Sequence, residues 1–219
     1  MSGYHCKHET HRLGDSNFHI RSLLDKMQYD DADGAAEAAG ISSAAWPLFG
    51  LVWPSARMLA NAMQTQDLVN KRVLEIGCGL GLASMVIHKR LGDVTASDCH
   101  PLSDAFLQEN ARLNGLPPMK YQTGHWEREN LGLGLFNLII ASDVLYERQQ
   151  PDTLSGFIDL HSSPQVDVIV LDPDRGNRNG FCRKMQERGY VLDMQRAGLH
   201  QNTGEAYKGH FLNFRRGYI

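Results

Sequence analysis

A doubly wound α/β sheet is the fold this sequence predicts, on three observations. Short apolar runs at 73–76, 136–141 and 166–171 read as strands buried on both faces. Helix-period segments separate them, which calls for right-handed crossovers and a parallel sheet. A glycine cluster at 77–81 lies between the first run and the helix pattern after it, where such a sheet holds a nucleotide-like ligand.

In chain order, residues 17–24 place Phe18, Ile20 and Leu24 on one strand face, interrupted by Ser22. Residues 29–45, rich in Asp, Ala and Gly, form either a short helix ending near Gly40 or a loop. Pro54 suits the first turn of a helix, where its missing N–H costs nothing. Met58, Leu59, Ala62 and Met63 then share one side, which should cover the sheet. Strand 73–76, helix 82–91, strand 94–97 and helix 101–114 follow, with Gly115 as the left-handed residue that closes the last helix. Next come strands 119–122 and 136–141, helix 152–161, strand 166–171 and helix 178–188. Strands 190–196 and 210–214 have no helix-length segment between them and should pair as an antiparallel hairpin. The result is a Rossmann-like sheet of seven strands, mostly parallel, with helices on both faces.

Composition narrows the function. The 219 residues fit one globular domain. Lys and Arg number 22 against 25 Asp and Glu, a net charge of −3 without the basic excess of a phosphate-neutralising protein. The short basic cluster of Arg175, Arg178, Arg183 and Lys184 reads as a solvated helix face, so there is no strong nucleic-acid signal. Cys6, Cys78, Cys99 and Cys182 fit neither a zinc pattern nor a disulfide framework, and reduced thiols in the cytoplasm are expected. Cys6, His8 and His11 lack a fourth ligand nearby, and no metal site is expected. The polar N-terminus does not read as a signal peptide. No apolar run approaches the ~20 residues of a membrane span.

The glycine spacing discriminates between ligands. A dinucleotide fingerprint wants glycine at the first, third and sixth positions. Counted from Gly77, the sixth position is Leu82, and the third glycine falls at the fifth, Gly81. The pyrophosphate reading weakens, and S-adenosylmethionine, which carries no phosphate, becomes attractive. Asp98, at the end of the second predicted core strand, can accept both ribose hydroxyls. Glu75, just before the loop, can hold the ammonium of the methionine tail, directly or through water. Asp143 follows a buried strand at the carboxyl edge, where ligands bind.

On these residues the chain resembles the seven-strand methyltransferases, and within them methyltransferase family 16, which contains many protein-lysine methyltransferases. The matching segments are Trp53-Pro54-Ser55-Ala56, the loop at 73–81, Trp126 after the third core strand, and Ser142-Asp143-Val144-Leu145-Tyr146 in the place of the family's Asp-x-x-Tyr signature. The resemblance covers roughly residues 50–196. It implies that Trp53, Gly77, Cys78, Gly79, Asp98, Trp126 and Ser142 contact the cofactor, with Trp126 near the adenine; Glu75 and Gly81 complete the expected set. The histidine-containing N-terminus and Leu171-Asp172-Pro173-Asp174-Arg175-Gly176 are more similar to bacterial members of the group.

The expected reaction is N-methylation, with a lysine of a protein substrate as acceptor. Asp143 would orient the amine and Tyr146 would fix its direction or line the pocket. A carboxylate beside an ammonium opposes its deprotonation, so Asp143 is not assigned as the base. Asp174 and Arg175 either line the acceptor site or form a salt-bridged loop. The division expected is a 1–52 extension forming a substrate lip and a 53–219 core that binds cofactor and carries catalysis. A small-molecule amine, a heterocyclic nitrogen or RNA are alternative acceptors. A cofactor-binding scaffold without activity is the alternative of another class.

Overall fold

A computed structural model describes residues 3–127, 130, 132–198 and 206–218. The chain begins with an antiparallel hairpin, β1 (Cys6–Leu13) and β2 (Ser16–Leu23), followed by a short helix α1 (Ala35–Ala38) and a 3-10 turn (Trp46–Gly50). The main body runs α2 (Pro54–Ala62), β3 (Arg72–Ile76), α3 (Leu82–Lys89), β4 (Asp93–Asp98), α4 (Ser103–Leu113) and β5 (Lys120–Thr123). It continues with β6 (Phe136–Ser142), α5 (Gln150–Leu160), β7 (Ser162–Asp172), α6 (Arg178–Glu187), β8 (Val191–Arg196) and β9 (His210–Arg216).

Seven strands form one sheet in the order β5-β4-β3-β6-β7-β9-β8. The five strands from β5 to β7 are parallel, as the alternation of strand and helix requires. β8 and β9 pair antiparallel as expected, but β9 lies between β7 and β8. The burial of the two strands explains that order. Leu212 and Phe214 of β9 are fully buried, whereas Val191 and Met194 leave β8 fit only for an edge.

Adjacent residues of the central strands serve two cores. Val73, Ala96, Leu138 and Ile140 pack with α2, α3, α4 and the hairpin. Leu74, Ile76, Ile139 and Ala141 pack on the other face with α5 and α6. Helices therefore cover both faces, and the continuous apolar runs follow from burial on both sides. At the end of α4 the Gly115 N–H donates to Arg112 O (3.0 Å) and the Leu116 N–H to Ala111 O (3.0 Å), with Gly115 at φ 65°. Only glycine takes that conformation readily, so the helix stops where the sequence places its cap.

The N-terminal region differs from expectation. One strand was expected at 17–24, and two strands form. β1 is a run of His, Glu, Thr and Arg with little apolar content, so its alternation carries no hydrophobic signal. Leu24 lies beyond β2 and is 46% exposed, while Ser22 and Leu23 are buried. Cys6 and His8 share one side of β1 and His11 takes the other, as the period of two dictates. Among the described residues no group of three or more His, Cys, Asp or Glu side chains is placed to hold a metal ion.

Two amides dock this hairpin on α4. Asn110 Oδ1 accepts the Arg21 N–H (2.7 Å) and Asn110 Nδ2 donates to Arg21 O (3.2 Å). One turn on, Asn114 Oδ1 accepts the His19 N–H (2.8 Å) and Asn114 Nδ2 donates to His19 O (2.7 Å). Residues four apart on a helix thus meet residues two apart on a strand, and the side chains imitate the missing neighbour strand. Asn110 is fully buried. Replacing Asn110 with Ala would strand both backbone groups of Arg21 and should cost about 2 kcal/mol. Urea unfolding should show a lower midpoint at unchanged slope; an unaltered midpoint would show that the amide clamp contributes nothing.

Candidate active site

The carboxyl ends of β3, β4, β6 and β7 meet where the strand order reverses, with β4 on one side of β3 and β6 on the other. The connections after β3 and β6 leave in opposite directions there and open a crevice. Every expected site residue on these strands lies at this edge.

The glycine loop after β3 is tightly built. The Cys78 N–H donates to Ser97 O (3.0 Å), and the Gly79 N–H donates to Asp98 Oδ2 (2.8 Å). Gly77, Gly79 and Gly81 all have positive φ, of 61°, 52° and 70°. A Cβ on Gly79 would stand 2.8 Å from the Phe49 carbonyl oxygen, and one on Gly77 2.9 Å from Val144 Cγ1. Glycine in such a loop gives clearance for a ligand. The geometry adds a stronger reason for it: the loop is left-handed and its back is pressed against protein.

Asp98 is the hub. Its Oδ1 accepts the His100 N–H (2.9 Å) while Oδ2 takes Gly79. Burial pushes its carboxyl above the ordinary range, against the pull of those donors. Each carboxylate oxygen can accept a second hydrogen bond, and the Cys99 N–H and the Ser103 hydroxyl also lie close to it. Trp126 lies beside the loop, its Cζ2 3.9 Å from the position of a Gly77 Cβ. Trp53 is held one step behind. Its indole N–H donates to Leu48 O (2.8 Å), and the next residue, Phe49, is the one that faces Gly79. Cys78 is buried, and desolvation holds its thiol protonated.

Glu75 faces α3. Its Oε2 accepts the Ser84 N–H (2.8 Å) and, in a short contact, the Ser84 hydroxyl. It therefore closes the first turn of the helix that the loop opens. Burial raises its pKa to about 7, with the Ser84 bonds opposing and the Asp98 charge adding a smaller push.

At the other side of the crevice, Ser142 ends β6 in register with Leu171, and Asp143 follows at φ 57°. The Asp143 N–H donates to Leu171 O (2.9 Å). Asp143 Oδ1 accepts both Nε and Nη2 of Arg175, each at 2.8 Å. Asp143 and Tyr146, expected to share one acceptor, are thus engaged differently. Tyr146 is 46% exposed, and desolvation, followed by the charge of Asp98, raises its pKa to about 12.

Sequence reasoning gave no role to Asp172, His210, Tyr207 or Ser55, which lie here beside the expected Asp174. Asp172, at the end of β7, is buried and accepts the Arg175 N–H (2.9 Å); burial raises it to about 6. Asp174 is held by Arg178 and by His210 Nδ1 (2.7 Å). The Tyr207 and Ser55 hydroxyls bond to each other at 2.6 Å, and both residues are buried. Asp172 had a legible signal, since it ends a buried apolar run as Asp98 and Asp143 do. Tyr207, Ser55 and His210 had none.

Fold and crevice together define a doubly wound domain with a glycine loop at its switch point and an acidic rim, a class that includes many group-transfer enzymes. Residues 43–188 match the lysine methyltransferase family called methyltransferase family 16, and the chain belongs to it. It is 28% identical over 160 residues to calmodulin-lysine N-methyltransferase of Arabidopsis thaliana, covering 65% of this chain and 53% of that protein. It is 30% identical over 145 residues to the electron transfer flavoprotein beta subunit lysine methyltransferase of Rattus norvegicus, covering 64% and 56%. The chain thus spans about half the length of these relatives. Among solved structures, the ribosomal protein L11 methylase of Lactobacillus delbrueckii subsp. bulgaricus superposes with a TM-score of 0.59 at 24% identity, over 75% of this chain and 79% of that one. Magnesium protoporphyrin IX methyltransferase of Synechocystis, solved with bound S-adenosylmethionine, gives 0.58 at 15% identity, over 74% and 80%. These two likenesses are of fold.

The buried Glu75 carboxyl makes stability depend on pH. The folded chain binds this proton more tightly than the unfolded chain, so stability from this group falls as pH rises from about 4.5 to about 7. Glu75→Gln keeps an acceptor for Ser84 and removes the charge. Its stability relative to wild type should rise between about pH 5 and about pH 8 in urea unfolding. A difference that does not change with pH would contradict the assignment.

Proposed function

We propose that this chain is an S-adenosylmethionine-dependent N-methyltransferase acting on a lysine of a protein substrate. The observation that carries the reading is the Asp98 carboxylate, which is tied to the loop N–H of Gly79 and has lone pairs left for a ribose. The donor set suits the cofactor. A buried carboxylate favours a ligand that offers hydroxyls and a cation over one that brings phosphates. Membership of a family described as lysine methyltransferases supports the acceptor.

Asp98 would take the ribose hydroxyls, the backbone of Gly77, Cys78, Gly79 and Gly81 would line the cofactor's floor, and Trp126, Trp53 and Ser142 would flank it. The cofactor, when bound, supplies an electrophilic methyl on a sulfonium. Glu75 stands one layer behind the loop; a tail ammonium nearby would draw its carboxyl back to the ionised form. Asp143 orients the acceptor amine rather than taking its proton, and Tyr146 lines the path to it. Holding the amine in line is this chain's main contribution, and positioning of that kind is worth about 7–11 kcal/mol. The hairpin and the 3-10 turn, within residues 1–52, would form the lip over the substrate. Four free thiols fit a reducing cytoplasm. The 171–176 segment fits the bacterial branch of the group.

Two substitutions separate the halves of the site. Asp98→Ala should weaken S-adenosylhomocysteine binding about a hundredfold in calorimetry, since it removes two charge-assisted bonds and loosens Gly79. Asp143→Ala should leave that affinity within about threefold and lower methyl transfer from labelled cofactor by about a hundredfold or more. The reverse pattern, with affinity lost at Asp143 and kept at Asp98, would sink the assignment.

A further inference from the structure

Asp143, the residue to which the proposed function assigns the acceptor amine, already holds a cation. Arg175 places two donors on one of its oxygens, at 2.8 Å each. The Asp143 side chain is only 14% exposed, whereas that of Arg175 is 43% exposed. The turn that delivers Arg175 is anchored from below, because the Arg175 N–H is held by buried Asp172 and the next turn is held by Asp174 with Arg178 and His210. Asp143 and Asp174 both adopt left-handed backbone, at φ 57° and 61°, so the two loops are set against each other at some conformational cost.

We propose that Arg175 gates the acceptor site and sets its substrate class: a lysine accompanied in its own segment by a carboxylate. The inference rests on the methyltransferase reading and deepens it. A lysine ammonium reaching Asp143 must displace the guanidinium from that oxygen. Two acids flank the Arg175 turn, and each already carries a contact of its own. Asp172 has one oxygen on the Arg175 N–H and the other sealed from solvent, and Asp174 Oδ1 is shared by Arg178 and His210. The guanidinium is the exposed member of the pair, so a carboxylate arriving on the substrate can reach it from solvent. The exchange then swaps one ion pair for two, with no charge stranded. A lone lysine would break one pair to make one and leave Arg175 open to solvent. In the closed state Arg175 also neutralises Asp143, so that a stray cation finds no net negative seat.

The test uses binding rather than turnover. Wild type and Arg175→Gln are first titrated with S-adenosylhomocysteine; failure of both to bind would remove the underlying reading and leave the gate without a site. The loaded proteins are then titrated by NMR with two short peptides, one with glutamates on either side of its lysine and one with glutamines there. Wild type should prefer the acidic peptide about fivefold, the scale of a solvent-exposed ion pair. Arg175→Gln should lose that preference and bind the neutral peptide more tightly than wild type does. Arg175→Lys, which keeps the charge and loses the two-pronged geometry, should keep part of the preference. No preference in loaded wild type, or a preference that survives in Arg175→Gln, overturns the proposal.

Discussion

The bond from the Gly79 N–H to the Asp98 carboxylate joins the glycine loop to the end of β4, and the site depends on it. Without that tie the loop would have one fewer restraint on its left-handed path. The second oxygen of Asp98, on the His100 N–H, sets the chain direction beyond β4. His100 stacks on Phe49 at 3.6 Å between ring centroids, and the Phe49 carbonyl lies behind Gly79. One carboxylate thus coordinates the loop, the turn after β4 and the segment before α2. The last two cross in an aromatic cluster of Trp46, Phe49 and Phe106. Moving any of these would displace the floor of the crevice.

Acids gather at the carboxyl edge of the sheet, and each is compensated by a different means. Asp98 relies on backbone N–H groups, Asp143 on a guanidinium and Asp172 on an N–H with Arg178 nearby. Burial raises the carboxyl pKa of Asp98 and of Asp172, which shows that the donors do not fully replace water. An edge of this kind costs stability and gains a field suited to cationic and hydroxyl-bearing ligands. The Asp98 side and the Asp143 side of the edge are held differently. Backbone N–H bonds hold the first, and a side-chain ion pair holds the second.

Most of the parallel sheet was legible in the sequence, because burial on both faces leaves continuous apolar runs and because glycine marks the loop and the α4 cap. Asp98 and Asp143 were legible as polar residues that end such runs. β1 was not, since a strand made of His, Glu and Arg has no hydrophobic period to read. The place of β9 inside the sheet was also hidden; the pairing of β8 with β9 is local, whereas the pairing of β9 with β7 is set by which of the two can be buried. The capture of Asp143 by Arg175 spans 32 residues and two loops, and only the loop geometry decides it. Glu75 shows the limit of position alone, because a carboxylate before the loop could serve a ligand or a helix end, and its Oε2 is turned to Ser84.

A crystal structure of the complex with S-adenosylhomocysteine is the most direct test of the central claim. Both ribose hydroxyls should lie within hydrogen-bonding distance of the Asp98 carboxylate, with the thioether sulfur facing the Asp143 end of β6. A nucleoside seated elsewhere, with Asp98 still bonded only to Gly79 and His100, would contradict it.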